Sequence, residues 1–185
     1  MSFRGKVILC GSAGAGKTSL LARYVDDKFE DDYIQTIGAN FLIKEIDLND
    51  MIDEIDLEDE NLKESIKGKG LKLYLWDLGG QKDKLFANEY YFNQAVGALV
   101  IFNLDSKDSF DGLDFWISKL KELSGDIPFI IVGNKSDLPR NVNEDAIKKK
   151  VESIGVDYIE TSAKLNENVD EAFKILAIKI INNMK

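Results

Sequence analysis

The sequence contains no histidine, and this absence excludes several kinds of active site. Without imidazole there is no Ser-His-Asp triad, no histidine zinc ligand and no histidine general acid or base. Cys10 is the only cysteine, so no internal disulfide can form, which fits a reducing, intracellular setting. There is also no apolar run that approaches the length of a membrane span.

Basic residues are outnumbered by acidic ones, 24 against 33, which gives a formal net charge of −9. Such a surface repels nucleic-acid backbones and anionic lipids, so we expect no nucleic-acid partner and no purely electrostatic membrane contact. The first residues do not form a secretory signal, Ser2 stands where myristoylation requires glycine, and the last residues offer no cysteine to prenylate. We therefore expect a cytoplasmic protein without a lipid anchor of its own, which reaches a membrane only if a partner recruits it.

Strand-like and helix-like segments alternate along the chain, which is typical of an α/β fold with a mainly parallel sheet. The predicted strands are 6–10, one that follows Thr36, 71–76, 98–102, 129–132 and a weaker one at 156–159. Apolar residues at helical spacing predict helices around Phe110, Leu113, Ile117 and Leu120 and around Val169, Ala172, Phe173, Leu176 and Ile180. The segments 98–102 and 129–132 are apolar throughout, as expected of central parallel strands that are buried on both faces.

One segment does not fit this alternation. Residues 47–70 are rich in acidic side chains up to Glu60 and then carry three lysines, with a few spaced apolar residues between them. An extended hairpin with a short helix and a flexible loop are equally compatible with this pattern, and a solvated acidic surface is favoured over a partner-binding one. We predict a single domain over 1–185 with an acidic insertion around 47–70.

Residues 11–18, Gly-Ser-Ala-Gly-Ala-Gly-Lys-Thr, match the P-loop pattern, follow a predicted strand and open a predicted helix. Glycines allow the backbone to curl until successive N–H groups face phosphate oxygens, and the N-terminus of the next helix adds a positive dipole end. Lys17 supplies a positive charge to the β- and γ-phosphates, and the Thr18 hydroxyl suits a hard Mg²⁺ ion. The motif predicts a nucleotide site without distinguishing kinases, ATPases and GTPases.

Two polar blocks after later strands indicate which base is bound. Residues 134–137, Asn-Lys-Ser-Asp, follow the strand that ends at Val132, where open α/β sheets bind ligands. The Asp137 carboxylate can accept hydrogen bonds from N1–H and the 2-amino group of guanine, whereas adenine has an acceptor at N1 and no 2-amino group. The Lys135 stem can lie along the base, and small residues in 161–164 allow backbone N–H groups to approach the guanine carbonyl oxygen. These blocks together predict a guanine nucleotide.

Residues that respond to the γ-phosphate are predicted in two further places. Asp77 ends a strand and can hold Mg²⁺ through a water molecule. Gly79 and Gly80 permit a hinge, Gly80 can present an N–H to the γ-phosphate, and Gln81 can orient the attacking water. Thr36, between the first helix and the second strand, is a candidate second Mg²⁺ ligand whose backbone N–H can reach the γ-phosphate.

The motif blocks GSAGAGKT, TIG, DLGGQ, NKSD and ETSAK, in this order, resemble the Ras superfamily of small GTPases across nearly the whole chain. The segment 33–41 and the ETSAK block are similar to Rab proteins, whereas WDLGGQ is similar to the Arf group. The resemblance implies a P-loop NTPase fold with a six-stranded, mostly parallel sheet and helices on both faces. It also implies that Phe29 flanks the guanine and that Tyr33 lies over the phosphates.

The resemblance implies a slow, Mg²⁺-dependent GTPase switch that works as a monomer with effectors, an exchange factor and a GTPase-activating protein. Catalysis is expected from Gln81, Lys17 and Thr36, and metal ligation from Thr18, Thr36 and Asp77. The predicted cofactors are GTP or GDP and Mg²⁺. The predicted nucleotide-binding residues are Ser12, Ala13, Gly14, Ala15, Gly16, Lys17, Thr18, Ser19, Phe29, Tyr33, Thr36, Gly80, Asn134, Lys135, Asp137, Ser162, Ala163 and Lys164.

Two departures and two alternatives accompany this expectation. Ala13 stands where Ras proteins carry glycine, and its side chain can crowd Gln81 or an incoming arginine. Lys82, directly after Gln81, stands where Ras and Rab proteins usually carry an acidic residue. One alternative is a scaffold that keeps GTP bound with little or no hydrolysis, which Gln81 argues against. The other is a P-loop ATPase or nucleoside kinase, which the block 134–137 argues against.

Overall fold

The computed structural model describes residues 3–30, 35–47, 64, 67, 69–82 and 89–183. Its six-stranded sheet has the order β2-β3-β1-β4-β5-β6. Only the β2–β3 pair is antiparallel, so the predicted mostly parallel sheet is confirmed. The strands are β1 (Phe3–Cys10), β2 (Ala39–Asp47), β3 (Gly70–Leu78), β4 (Ala95–Asn103), β5 (Phe129–Asn134) and β6 (Tyr158–Thr161).

Helices cover both faces of this sheet. Those in the described ranges are α1 (Lys17–Asp26), α2 (Lys107–Asp111), α3 (Leu113–Ser124), α4 (Glu144–Ile154) and α5 (Val169–Asn183), with a 3₁₀ turn at Glu89–Phe92. Val7 and Leu9 point into the core shared with α1 and α5, whereas Ile8 and Cys10 point into the core shared with α2, α3 and α4. This alternation explains why the central strands are apolar at every position. No helix in the described part of the chain has the length and apolar character to cross a bilayer.

Strands β1, β3, β4 and β5 extend beyond their predicted ranges, and two further elements differ from the sequence prediction. β6 runs from Tyr158 to Thr161 and not over 156–159, because its ladder with β5 joins Ile131 to Tyr158 and Asn134 to Thr161. The helix predicted around Phe110–Leu120 is two helices, α2 and α3, which meet at Gly112. A Cβ on Gly112 would lie 2.6 Å from Ser12 Oγ, so this junction packs directly against the loop after β1.

The first and last residues of the acidic insertion are paired with each other in the sheet. Asp47, the last residue of β2, pairs with Gly70, the first residue of β3, in antiparallel register. Residues 48–63, 65, 66 and 68 lie outside the described residues, and so does the question of whether this segment is a hairpin or a loop. Asp47 and Gly70 therefore lie at the opposite end of β3 from Asp77 and the segment 79–81.

Candidate functional site

The predicted motifs meet at the carboxyl ends of the parallel strands, because all of these strands end on the same side of the sheet. β1 leads into residues 11–16, β3 into 79–81, β5 into 135–137 and β6 into 162–164. These segments, together with the first half of α1, line a cleft of about 730 Å³. Ligands of open α/β sheets bind at this position, so the strand order places the candidate site here.

Most of the predicted site residues line this cleft. The lining includes Ala13, Gly14, Gly16, Lys17, Thr18, Ser19, Phe29, Thr36, Gly80, Gln81, Asn134, Lys135, Asp137, Ala163 and Lys164. Ser12, Ala15, Asp77 and Ser162 are outside this lining set, and the last three are fully buried behind it. Tyr33 lies outside the described residues.

Two glycines give the loop after β1 its tight course. Gly11 has φ +147°, and a Cβ there would lie 2.0 Å from the carbonyl oxygen of Ile101. Gly16 has φ +86°, and a Cβ there would lie 2.3 Å from the Asn134 amide nitrogen. Both positions therefore exclude side chains on grounds of space as well as backbone conformation. The loop is held directly against β4 and against Asn134 at the end of β5.

Lys17 is enclosed by this loop. Its ammonium donates to the carbonyl oxygens of Gly11 at 2.9 Å and Ser12 at 3.0 Å, and the residue is only 5% exposed. Burial lowers the pKa of Lys17 below its ordinary value, and the charges of Asp77 and Cys10 oppose that shift. A cation fixed in this way, with backbone N–H groups around it, suits the phosphate groups of a nucleotide.

Three oxygen-bearing side chains from different elements meet beside Lys17. Thr18 donates to Asp77 Oδ2, the Thr18 and Thr36 hydroxyls are 2.8 Å apart, and Thr36 Oγ1 lies 3.3 Å from Asp77 Oδ2. Asp77 is fully buried, and among the described residues its Oδ1 has no hydrogen-bond partner. Burial raises the pKa of Asp77, while Thr18, Lys17 and Thr36 act in the opposite direction.

This cluster fits the predicted magnesium site. Mg²⁺ prefers hard oxygen ligands and is usually held by one or two protein carboxylates together with phosphate oxygens and water. Two hydroxyls and a buried carboxylate oxygen without a partner supply that kind of donor set. Leaving such an oxygen unsatisfied is costly, so a bound cation would also relieve the cluster.

The other end of the cleft is organised around the block after β5. The Asn134 amide donates to Ala15 O at 3.0 Å, and the Thr161 hydroxyl donates to Asn134 Oδ1 at 3.0 Å. The Ser162 hydroxyl donates to Asp137 Oδ1 at 2.6 Å, and Ser162 is fully buried. These hydrogen bonds fix the carboxylate in the cleft, where it can accept donors from a ligand.

Glycines also connect the two predicted switch segments to each other and to the loop after β1. Gly79 N donates to Gly38 O at 2.8 Å, and Ala13 N donates to Gly80 O at 3.1 Å. A Cβ on Gly80 would lie 2.3 Å from Ala13 N, so only glycine allows this approach. The switch residues are therefore in contact with the phosphate side of the cleft.

Motif analysis missed part of the cleft. The lining also contains Ala22, Asp26, Lys28, Glu30, Gln35, Asn40 and Leu138. Lys28 and Glu30 flank Phe29, Gln35 precedes Thr36, and Leu138 follows Asp137. Proximity to a motif residue was the only signal that could have selected them. Asn40 belongs to the Rab-like segment 33–41, whereas Asp26 stands outside that segment and the motif blocks, and only the fold places it at the cleft.

The fold and the loop after β1 define this chain as a P-loop NTPase of the α/β class. Residues 6–182 match the Ras family. The chain therefore belongs to the Ras family and is a small GTPase of the Ras superfamily.

Several proteins that are similar to this chain are Rab proteins. The chain is 33% identical to Ras-related protein Rab-13 of Bos taurus over 95% of its own length and 79% of that protein. It is 34% identical to Ras-related protein Rab-8B of Homo sapiens over 97% of its length and 79% of that protein. Against Ras-related protein Rab-10 of Caenorhabditis elegans the identity is 35%, over 97% of this chain and 82% of that one. The Rab-like character predicted from the sequence is thereby supported, and the likeness extends over nearly the whole chain.

Proposed function

We propose that this protein is a guanine-nucleotide switch that binds GTP and GDP with Mg²⁺ and hydrolyses GTP to GDP and phosphate. One observation carries the proposal. At one end of a single cleft are Lys17 and the oxygen cluster of Thr18, Thr36 and Asp77. At the other end is Asp137, which accepts a hydrogen bond from Ser162. These are the groups needed for a phosphate chain with its cation and for a guanine base.

Base selection follows from the chemistry of Asp137. Ser162 supplies a donor to one carboxylate oxygen and thereby fixes the orientation of the group. Guanine brings two donors to such an acceptor, at N1 and at the 2-amino group. Adenine brings an acceptor at N1, which would leave the carboxylate facing a lone pair. The resulting preference for guanine rests on an unpaired polar group in the wrong complex, which is a strong source of discrimination.

Phosphate binding and water positioning are assigned to the other end of the cleft. Lys17 and the backbone N–H groups of Gly14, Gly16, Lys17 and Thr18 would hold the phosphates, and Thr18, Thr36 and Asp77 would hold Mg²⁺. Bound Mg²⁺ would neutralise charge on the β- and γ-phosphate oxygens. Gln81 lies in the cleft beside Gly80 and would orient the attacking water. This placement of Gln81 favours hydrolysis over the scaffold alternative.

No arginine of this chain is placed to stabilise the transition state. All three arginines are among the described residues, and none of them lines the cleft. Arg23 hydrogen-bonds to Ala163, Arg140 pairs with Glu160, and Arg4 lies near the start of β1, at the opposite end of that strand from the cleft. We propose that a GTPase-activating protein supplies the arginine.

The remaining assignments follow from the switch mechanism. Contacts of Thr36 and Gly80 with the γ-phosphate would hold both switches until hydrolysis releases them. Effectors would distinguish the two states, and an exchange factor would reload the protein with GTP. We propose that residues 1–185 form a single monomeric domain in the cytoplasm, which a partner recruits to a membrane.

Competition binding tests this function and the role of Asp137 together. Labelled GDP bound in Mg²⁺ should be displaced by GTP at least about 100-fold more effectively than by ATP, and EDTA should accelerate its release. Asp137→Asn should shift the preference from GTP towards XTP, because the carboxamide can donate to the 2-oxo group of xanthine. Asp126→Asn is the matched control, since Asp126 is exposed and outside the cleft. Equal displacement by ATP and GTP would refute the proposal.

A further inference from the structure

Arg23 contacts the guanine side of the cleft without lining it. It lies on α1, the helix that begins with Lys17 and Thr18, and its side chain is only 15% exposed. Its guanidinium is directed at the segment that follows β6, residues 162–168, which we name the guanine-side loop. The contacts span 140 residues of sequence, so they connect the phosphate side of the fold to the base side.

Three donor groups of Arg23 are used in three directions. Nε donates to Ala163 O at 2.9 Å, and Nη2 donates to Lys164 O at 3.3 Å. Nη1 donates to the backbone oxygen of Asp27 at 3.0 Å and to its carboxylate at 2.9 Å. A planar guanidinium can satisfy this geometry, whereas the single ammonium of lysine cannot.

The contact with Lys164 continues to Asp137 through one peptide group. The Lys164 carbonyl accepts from Arg23, and the N–H of the same planar peptide, which belongs to Leu165, donates to Ser162 Oγ at 3.0 Å. The Ser162 hydroxyl in turn donates to Asp137 Oδ1 at 2.6 Å. Arg23 is therefore linked to the carboxylate that would recognise guanine by three consecutive hydrogen bonds.

The contact with Ala163 has a second consequence. In a trans peptide the carbonyl and the N–H point in opposite directions, so the N–H of Lys164 faces away from Arg23. Ala163 and Lys164 both line the cleft, and the backbone N–H groups of this segment are the candidates for the guanine carbonyl oxygen. By holding the Ala163 carbonyl, Arg23 fixes the peptide plane that presents such an N–H.

Asp27 extends this connection towards the first switch. It caps the C-terminus of α1 in a left-handed conformation, and it is followed directly by Lys28, Phe29 and Glu30, which line the cleft. Arg23 donates hydrogen bonds to this cap and to the guanine-side loop at the same time. The two walls of the base pocket are thus held together by one side chain.

We propose that Arg23 is a positioning residue that sets how long a guanine nucleotide remains bound. The inference rests on the proposed function. Without the guanidinium, the guanine-side loop and the α1 cap lose their common anchor, so the groups that face the base are held less firmly. Release of the nucleotide is then faster, although no group that touches the nucleotide has been removed.

The test measures the dissociation rate of labelled GDP in Mg²⁺ from the protein of residues 1–185 after addition of excess unlabelled GDP. Arg23→Ala should release GDP on the order of 10- to 100-fold faster, the factor expected for lost hydrogen bonds to a charged group. Arg23→Lys should also release GDP faster than wild type, because one ammonium group can replace only some of the hydrogen bonds that the guanidinium donates. Lys150→Ala is the matched control, since it also removes a paired cation, but that cation is bound to Asp114, away from the guanine-side loop.

A double-mutant cycle separates positioning from general destabilisation. If Arg23 acts through Ser162, the effects of Arg23→Ala and Ser162→Ala on GDP release should be strongly non-additive. Additive effects, or wild-type release from Arg23→Ala or Arg23→Lys, would overturn the inference and leave the proposed function intact. A wild-type protein that retains no guanine nucleotide would overturn both.

Discussion

At the scale of single residues, the cleft is defined by charges that are buried beside one another. Lys17 and Asp77 are both almost inaccessible to solvent. Burial lowers the pKa of Lys17 and raises the pKa of Asp77, and both shifts favour the neutral form of the side chain. Isolated buried charges are too costly to persist, so a pair of this kind needs partners. Carbonyl oxygens serve Lys17 and hydroxyls serve Asp77, but Asp77 Oδ1 remains without a partner in the described residues. That imbalance is the residue-level reason to expect a cation here.

Gln81 carries the prediction about hydrolysis. Gln81→Leu removes the amide that would orient the attacking water and leaves Lys17 and Asp137 unchanged. Single-turnover hydrolysis of bound GTP should become roughly 10- to 100-fold slower, because misplacing the nucleophile costs rate without affecting ground-state binding. GTP affinity, measured in parallel by titration, should stay within about threefold of wild type. An unchanged rate would show that another group positions the water.

At the scale of elements, the site depends on how strands end and how the following segments are held. β6 is short, and Tyr158 and Glu160 on it connect to the segment after β5 through Arg140. Arg140 donates to both oxygens of Glu160, at 2.9 and 2.6 Å, and the Tyr158 hydroxyl adds a third hydrogen bond at 2.8 Å. This cluster fixes the end of β6, from which the guanine-side loop begins.

The same cluster predicts a dependence of stability on pH. Burial by itself would raise the pKa of Glu160, but hydrogen bonds from Arg140 and Tyr158 outweigh it, so the pKa lies below its ordinary value. The folded protein then binds fewer protons here than the unfolded chain. The stabilisation is therefore present above the unfolded value, about pH 4.3, and is lost as pH falls through the folded value.

Urea unfolding of Glu160→Gln in GDP and Mg²⁺ checks this sign. At pH 7 the variant should be about 1 kcal/mol less stable than wild type, the upper end for a well-formed exposed ion pair. The difference should shrink as the pH falls below about 4.3 and through the lowered pKa of Glu160, because the carboxylate becomes protonated there. Glu152→Gln, on the exposed side of α4, is the control. A difference that grew on acidification would contradict the assignment.

At the scale of the whole molecule, one nucleotide would connect segments that the chain keeps far apart. The cleft is lined from α1, from both switch segments and from the segments after β5 and β6. A ligand that binds all of them in the folded state and none in the unfolded chain must stabilise the entire domain. Nucleotide binding and global stability should therefore be linked.

Thermal unfolding measures that linkage. GDP with Mg²⁺ at 1,000 times its dissociation constant should add about 4 kcal/mol, which for a chain of this size raises Tm by roughly 8–16 °C. ADP at the same concentration should add no more than about 1.4 kcal/mol, because a nucleotide that binds at least about 100-fold more weakly is then present at no more than about 10 times its dissociation constant. An equal shift with ADP would contradict guanine selectivity even if binding itself were confirmed.

The motifs, the central strands and the family resemblance could be recognised from the amino-acid sequence alone. Each motif is a short block whose residue types are required locally: glycines at Gly11 and Gly16 for backbone geometry, and Lys17 and Thr18 for phosphate and cation chemistry. Strands β4 and β5 were predictable because burial on both faces demands an unbroken apolar run. Such requirements are written in neighbouring residues, so they can be recognised without the fold.

The way in which those blocks meet could be seen only in the folded chain. Thr18 reaches Asp77 across 59 residues and Arg23 reaches Ala163 across 140, and neither contact has a local signature. The end of β6 is likewise set by its ladder with β5, and Gly112, where α2 and α3 meet, lies against Ser12, which is 100 residues away in the sequence. Contacts of this kind depend on sheet order and register, which fix positions in space that no short window of sequence contains.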